Sequence, residues 1–121
     1  MTRQEKTGKR DLYFSKWVRE NLPDSSTGIV LTDLDFILYD YKRKKIALME
    51  IKTRNSNLKY AQGEIFKNIH KWIKAGISDG WEYKGFYLIK FEKTNFEDGK
   101  CFINGKNVTE KELTEILSFK V

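Results

Sequence analysis

Four charged side chains interrupt two otherwise apolar segments of the sequence, and they are Asp33, Asp35, Glu50 and Lys52. The two acids lie within residues 29–39, and Glu50 and Lys52 lie within residues 46–53. A charged group inside an apolar strand is costly unless it is paired or binds a metal ion. Hard cations such as Mg²⁺ prefer carboxylate oxygens, so this pattern predicts a site for a divalent cation.

The expected hairpin between these segments determines which charges meet. Side chains alternate across a strand, so the two acids of the first segment share one face, as Glu50 and Lys52 do in the second. A turn placed symmetrically between Asp40 and Lys45 sets Asp35 opposite Glu50. The same register sets Asp33 opposite Lys52. The hairpin therefore predicts one polar face on two apolar strands.

Two opposed carboxylates and a lysine suit metal-assisted hydrolysis. Opposed side chains lie about 5 Å apart, close enough for Asp35 and Glu50 to hold one Mg²⁺ or Mn²⁺ ion. Such an ion polarises a phosphoryl oxygen and lowers the pKa of water, while Lys52 orients that water or stabilises the developing charge. A one-step slip of the turn would give Asp33 the leading role in place of Asp35.

Hydrophobic periodicity predicts the elements that must position these groups. They are a helix at 9–21, strands at 29–39 and 46–53, a helix at 60–75, strands at 84–91 and 100–103, and a helix at 109–119. Pro23 marks the end of the first helix, and Thr109 with Glu112 forms a capping box for the last one. Asn104 and Gly105 suit a tight turn between paired strands. The order predicts a single α/β domain over residues 1–121.

The string T-D-L-D-F-I-L-Y-D, followed by A-L-M-E-I-K-T, resembles the PD-(D/E)XK nuclease superfamily. Its core is a helix followed by a hairpin bearing Asp and Glu-x-Lys. The resemblance implies a restriction-endonuclease-like αββαββα core, with a central mixed sheet flanked by helices. It also implies that Asp35 and Glu50 bind the metal and that Lys52 is catalytic. Leu34 stands before Asp35, where the family name has proline.

Two further residues match features of some family members. In those members the flanking helices contribute a Glu and a Gln, and Glu20 and Gln62 occupy the corresponding places. The resemblance therefore implies that both assist catalysis and that Glu20, like Asp33, is a candidate metal ligand. Gln62 followed by Phe66 is similar to the Gln-x-x-x-Tyr feature of the RecB type, with Phe in place of Tyr. Holliday junction resolvases share the same core.

The charge balance favours a polyanionic partner. Lys and Arg number 23 against 17 Asp and Glu, which gives a formal charge of +6. With the resemblance, this predicts duplex or branched DNA as partner, and a homodimer or a protein partner that supplies specificity. A lysine-rich surface on an ordinary soluble protein would give the same charge.

Other sequence features exclude several classes of protein. No apolar run reaches the roughly 20 residues of a membrane helix, and residues 1–10 are too polar for a signal peptide. We therefore expect a cytoplasmic protein without a membrane partner. Cys101 is the single cysteine, which excludes an internal disulfide and a cysteine-rich zinc site. His70 is the single histidine and, lacking a recognisable partner, is expected to be structural.

The prediction is a Mg²⁺- or Mn²⁺-dependent deoxyribonuclease, with internal cleavage favoured over cleavage from ends. Junctions, ends or flaps in recombination, repair or phage DNA processing are the expected substrates. One alternative is a noncatalytic DNA-binding module or subunit with a nuclease-like fold. Another is an interaction protein whose acids form a structural ion-pair ladder on an exposed hairpin.

Overall fold

The computed structural model describes residues 13–120, which belong to two compact units that divide after Thr32. In the first unit, residues 13–21 are helical and form α1. The predicted helix agrees over this range, and its residues 9–12 lie outside the described part of the chain. Pro23 follows the helix, and a 3-10 turn at Ser25–Thr27 ends at Gly28, whose φ of 104° suits glycine.

The second unit, Asp33–Val121, is built on a five-stranded sheet with two helices. Its elements are β1 (Phe36–Asp40), β2 (Lys45–Lys52), α2 (Tyr60–Gly76), β3 (Glu82–Phe91), β4 (Cys101–Ile103), β5 (Lys106–Val108) and α3 (Glu110–Leu117). The spatial order is β1-β2-β3-β4-β5. β2 and β3 are parallel and the other neighbours are antiparallel. The predicted α/β class and mixed sheet are confirmed, and β5 is a strand that the predicted order omitted.

The β1–β2 hairpin has the predicted register, because Asp40 pairs with Lys45 and Phe36 pairs with Met49. The predicted extent of its first strand was wrong. β1 begins at Phe36, so the strand expected over 29–39 loses its first seven residues, and both acids precede the ladder. The ladder stops there because the backbone N–H of Asp35 donates to the side chain of Glu50, not to a β2 carbonyl.

One face of the sheet carries the hydrophobic core of this unit. Ala47, Ile89 and Cys101 are almost fully buried there, and α3 adds Leu113. Phe119, just after α3, completes the cover. Burial raises the pKa of the Cys101 thiol, so Cys101 behaves as the small strand side chain expected from the sequence. Packing on this face therefore stabilises the unit and can offset the cost of the charge buried on the opposite face.

The opposite face lies under α2. Leu48, Glu50 and Lys52 alternate along β2 and point to this side, together with their β3 partners. The buried Phe66 of α2 packs on Phe86 of β3 with ring centroids 5.1 Å apart. The helix spans Tyr60–Gly76, close to its predicted limits, and connects the two parallel strands. Its first turn therefore lies beside the end of β2.

No described helix is long and apolar enough to cross a membrane.

The capping box of α3 is present as predicted and yields a stability test. The Thr109 hydroxyl accepts the N–H of Glu112, and the Glu112 carboxylate accepts the N–H of Thr109. Thr109→Ala should lower the free energy of unfolding by about 1 kcal/mol, measured by urea denaturation, because the N–H of Glu112 loses its acceptor.

Thr114→Ala is the matched control, since Thr114 lies in the same helix and its hydroxyl donates to the Glu110 carbonyl without capping the helix. It should change the free energy of unfolding by a few tenths of a kcal/mol. Equal losses in the two variants would show that the cap does not stabilise the unit.

Candidate functional site

Glu50 is the centre of the candidate site. It follows three buried apolar residues of β2, and only 3% of its surface is exposed. It is the single buried charged residue in the described part of the chain. A buried carboxylate is retained only where hydrogen bonds and cations replace the water it has lost. The contacts of its two oxygens therefore define the site.

The chain entering β1 supplies the first of these contacts. The backbone N–H of Asp35 donates to Glu50 Oε1 at 3.0 Å, and the backbone N–H of Ile51 donates to Asp35 Oδ2 at 2.9 Å. Each carboxylate thus binds the backbone of the other strand. This reciprocal pair fixes the two acids side by side, with Glu50 buried and Asp35 open to solvent.

The second oxygen of Glu50 faces a helix and a lysine. Gln62 Nε2, in the first turn of α2, donates to Glu50 Oε2 at 3.3 Å. Lys52 Nζ lies 3.7 Å from the same oxygen, and 21% of the lysine side chain is exposed. Lys52 lies two residues after Glu50 and so shares its face of β2. Asp35, Glu50, Lys52 and Gln62 therefore form one polar cluster, contributed by the segment before β1, by β2 and by α2.

The pKa of Glu50 is raised above the ordinary value of 4.5. Burial is the largest cause, and the negative charges of Asp35 and Asp33 act in the same direction. The hydrogen bond from the Asp35 N–H and the charge of Lys52 lower this pKa and partly offset the effect. Burial therefore outweighs the hydrogen bond and the nearby lysine, and the charged form of Glu50 is only partly compensated.

The donor set fits a hard cation of the Mg²⁺ type. Within residues 13–120, no cluster of three or more His, Cys, Asp and Glu side chains could enclose a metal. Mg²⁺ usually takes one or two carboxylates and keeps other positions for water and phosphate. Asp35 and Glu50 are such a pair, and a cation beside them would offset the charge that burial leaves partly uncompensated on Glu50. Asp35 and Glu50 would hold the ion.

Two residues predicted for the site are placed differently. Asp33 is exposed and acts on Glu50 through its charge, with no hydrogen bond to the cluster among the described residues. Glu20 lies on α1 in the first unit with an exposed side chain. The cluster of the second unit therefore consists of Asp35, Glu50, Lys52 and Gln62, and the roles of Asp33 and Glu20 stay predictions.

Lys90 is a polar residue of this face that sequence reasoning missed. The parallel register pairs it with Lys52, so both side chains leave the same face of neighbouring strands. Lys90 Nζ donates to Asn57 Oδ1 in the segment before α2. The signal was available in the sequence, because Lys90 interrupts the apolar run of β3 as Glu50 interrupts that of β2. Its position beside Lys52 depends on the parallel pairing.

His70 also has a partner that the sequence did not indicate. Its Nδ1 lies 2.9 Å from the hydroxyl of Tyr83 on β3, and the two rings are 5.3 Å apart. This contact fixes the histidine on the α2 side of the sheet. It agrees with the structural role expected for His70.

No protein-family model matches the chain, and no solved structure matches it. The chain is 31% identical over 96 residues to an uncharacterized protein of Archaeoglobus fulgidus. The match covers 78% of this chain and 63% of that protein, so this chain spans less than two thirds of its relative. The functional argument therefore depends on the site itself.

The raised pKa of Glu50 predicts a specific dependence of stability on pH. Between pH 4.5 and the raised pKa, Glu50 binds more protons in the folded protein than in the unfolded chain. The contribution of Glu50 to stability is therefore fully present below pH 4.5 and is lost as pH rises through the folded pKa. Glu50→Gln should remove this decrease, measured as the free energy of unfolding against pH in EDTA.

Glu97→Gln provides the control, because Glu97 is exposed. Its curve should follow that of the unchanged protein. If Glu50→Gln also gave a curve parallel to that of the unchanged protein, burial would not raise the pKa of Glu50.

Proposed function

We propose that this protein is a metal-dependent deoxyribonuclease that hydrolyses phosphodiester bonds, with the restriction-endonuclease-like core suggested by its sequence. The observation that carries the proposal is the buried Glu50, held by the backbone of Asp35 and flanked by Lys52 and Gln62. Two carboxylates can bind a divalent cation, and a lysine beside them can stabilise the charge that develops during phosphodiester hydrolysis.

Each residue of the cluster has a distinct role in this proposal. Asp35 and Glu50 hold the cation, and the reciprocal backbone hydrogen bonds keep their carboxylates in place. Gln62 orients Glu50 through Oε2, so that the carboxylate presents a fixed geometry. Preorganised groups of this kind need not rearrange when charge develops in the transition state.

Lys52 is the candidate catalytic cation. Its ammonium group lies beside the carboxylate of Glu50 and is partly exposed, so it can approach a phosphate that binds above the site. There it stabilises negative charge on the phosphoryl oxygens and positions the attacking water. When bound, Mg²⁺ or Mn²⁺ supplies Lewis acidity that withdraws electron density from a phosphoryl oxygen.

The alternative of a structural ion-pair ladder explains less of the geometry. An exposed ladder contributes little to stability and needs no burial. Glu50 is buried, and its pKa is raised although Lys52 is near, so the pairing does not compensate for the burial. A residue that costs stability in this way is more readily explained by a functional role.

Cleavage assays on matched variants test the proposal. A panel of single-stranded, duplex, flap and four-way DNA is incubated with Mg²⁺ or Mn²⁺. Glu50→Gln should reduce cleavage to background, because the neutral amide no longer attracts the cation. Lys52→Met should reduce the rate by roughly 10²–10³-fold, the usual effect of losing one charge-stabilising group.

Lys84→Met is the control for the lysine variant, since 21% of the Lys84 side chain is exposed, as for Lys52, and it pairs with Glu82 at 3.1 Å. It should leave the rate within about twofold. Cleavage that persists in purified Glu50→Gln would refute the proposal. DNA binding with strong salt dependence but no cleavage in Mn²⁺ would instead identify a noncatalytic DNA-binding module.

A second test separates the two aspartates. Mn²⁺ should raise the Tm of the unchanged protein, because a ligand that binds only the folded state stabilises it. Asp35→Asn should abolish this shift, since Asp35 lies against Glu50, whereas Asp33→Asn should retain most of it. The measurement is thermal unfolding in Mn²⁺ against EDTA. The reverse result would transfer the metal-binding role to Asp33.

A further inference from the structure

A cavity of about 370 Å³ opens beside the candidate site, between α2 and the sheet. It is lined by Leu58, Gly63, Phe66, Lys67, His70, Phe86, Leu88 and Asn104. Its volume lies within the range of roughly 300–1,000 Å³ that small-molecule sites occupy. The lining is mainly apolar, with two aromatic rings packed together at its inner side.

The sheet register joins this cavity to the site. Leu88 of the cavity is the direct β3 partner of Glu50, and Lys90 is the partner of Lys52. Leu88 and Lys90 are two residues apart on one face of β3, about 7 Å along the strand. The face therefore changes from an apolar cavity to a pair of lysines next to the proposed catalytic acids.

Lys90 and Lys52 make this end of the face suitable for an anion. Lys52 Nζ lies 3.7 Å from Glu50 Oε2, so its charge is already shared with that carboxylate. Lys90 has no carboxylate partner among the described ion pairs, and its contact is the neutral oxygen of Asn57. Lys67 differs, because it pairs with Glu64 at 3.6 Å. Of these three lysines, Lys90 is therefore the best placed to contact a phosphate.

The remaining contacts hold the cavity open in a defined shape. The Asn104 side chain accepts the N–H of Leu88 at 2.8 Å and donates to the carbonyl of Phe86 at 3.0 Å. It thereby occupies the edge of β3 where no strand pairs. His70 is held by Tyr83 on the other side. His70 and Asn104 are thus held in place by contacts with β3.

A nucleotide suits an aromatic, apolar cavity beside a lysine, because its base can stack on an aromatic ring and its phosphate is an anion. We propose that the cavity binds the base of an unpaired DNA nucleotide while Lys90 binds its phosphate. A base in a duplex is stacked and paired and cannot enter, so the cavity selects single-stranded or unpaired segments. The assignment to DNA rests on the proposed function, and it specifies the substrate class of that site.

Filling the cavity tests the proposal directly. A Cβ added at Gly63 would meet only Leu58, at 4.0 Å, so Gly63→Leu places a side chain in the cavity without backbone conflict. Fluorescence anisotropy in EDTA measures binding of a labelled 12-mer single strand and of the same sequence as duplex. Gly63→Leu should weaken single-strand binding by about tenfold or more, the scale of one lost stacking contact.

Gly76→Leu is the matched control, because Gly76 ends the same helix and a Cβ there meets nothing within 4 Å. It should leave single-strand binding within about twofold. Duplex binding should change by less than twofold in both variants. Equal weakening of single strand and duplex by Gly63→Leu, or no measurable single-strand binding by the unchanged protein, would overturn the proposal.

Lys90→Met keeps the proposal testable if Gly63→Leu fails to fold. It should weaken single-strand binding and reduce the slope of log affinity against log salt by roughly 0.7, the value for one phosphate contact on a single strand. Lys84→Met should leave the slope unchanged, and equal slopes in all three proteins would contradict the phosphate contact.

The proposed function can fail separately from this inference. Selective single-strand binding that Gly63→Leu weakens, together with no cleavage in Mg²⁺ or Mn²⁺, would refute the nuclease and support the cavity as a binding site. Metal-dependent cleavage with unaltered binding in Gly63→Leu would support the nuclease and refute the cavity.

Discussion

The reciprocal hydrogen bonds between Asp35 and Glu50 are the interaction on which the geometry of the site depends. Glu50 loses its water because β2 is an interior strand of the sheet, with β1 on one side and β3 on the other. The Asp35 N–H replaces part of that hydration, and the Asp35 carboxylate accepts the next N–H of β2 in return. The same contacts end the β1 ladder and orient both acids. The same two hydrogen bonds therefore determine where β1 begins and how the two carboxylates are oriented.

The sheet has its hydrophobic core on one face and the polar cluster around Glu50 on the other. The apolar residues that surround Ile89 and Cys101 pack under α3 on one face, where no described charged side chain is buried. The other face carries Glu50 and Lys52 under α2. Burial of the Glu50 carboxylate there costs free energy, and the same burial raises its pKa. A strongly packed face can support such a cost because stability is shared by the whole cooperative unit.

The parallel pairing of β2 and β3 places the proposed nucleotide-binding cavity on the same face as the proposed metal site. It sets Leu88 beside Glu50 and Lys90 beside Lys52, so the acids, the lysines and the aromatic cavity follow one another across two strands. Parallel neighbours require a crossover, which here is α2. The crossover contributes Gln62 to the site and Phe66 to the cavity. The helix that connects the two parallel strands therefore also supplies side chains to the polar cluster and to the cavity.

The sequence by itself determined the local features, namely the hairpin register, the limits of α2, the capping box at Thr109 and the shared face of Glu50 and Lys52. These follow from periodicity and turn chemistry, which act over a few residues. Tertiary structure decided where β1 begins, because a side chain of β2 takes the N–H of Asp35. It also decided that Lys90 lies beside Lys52. Both are contacts between segments distant along the chain, which local patterns do not encode.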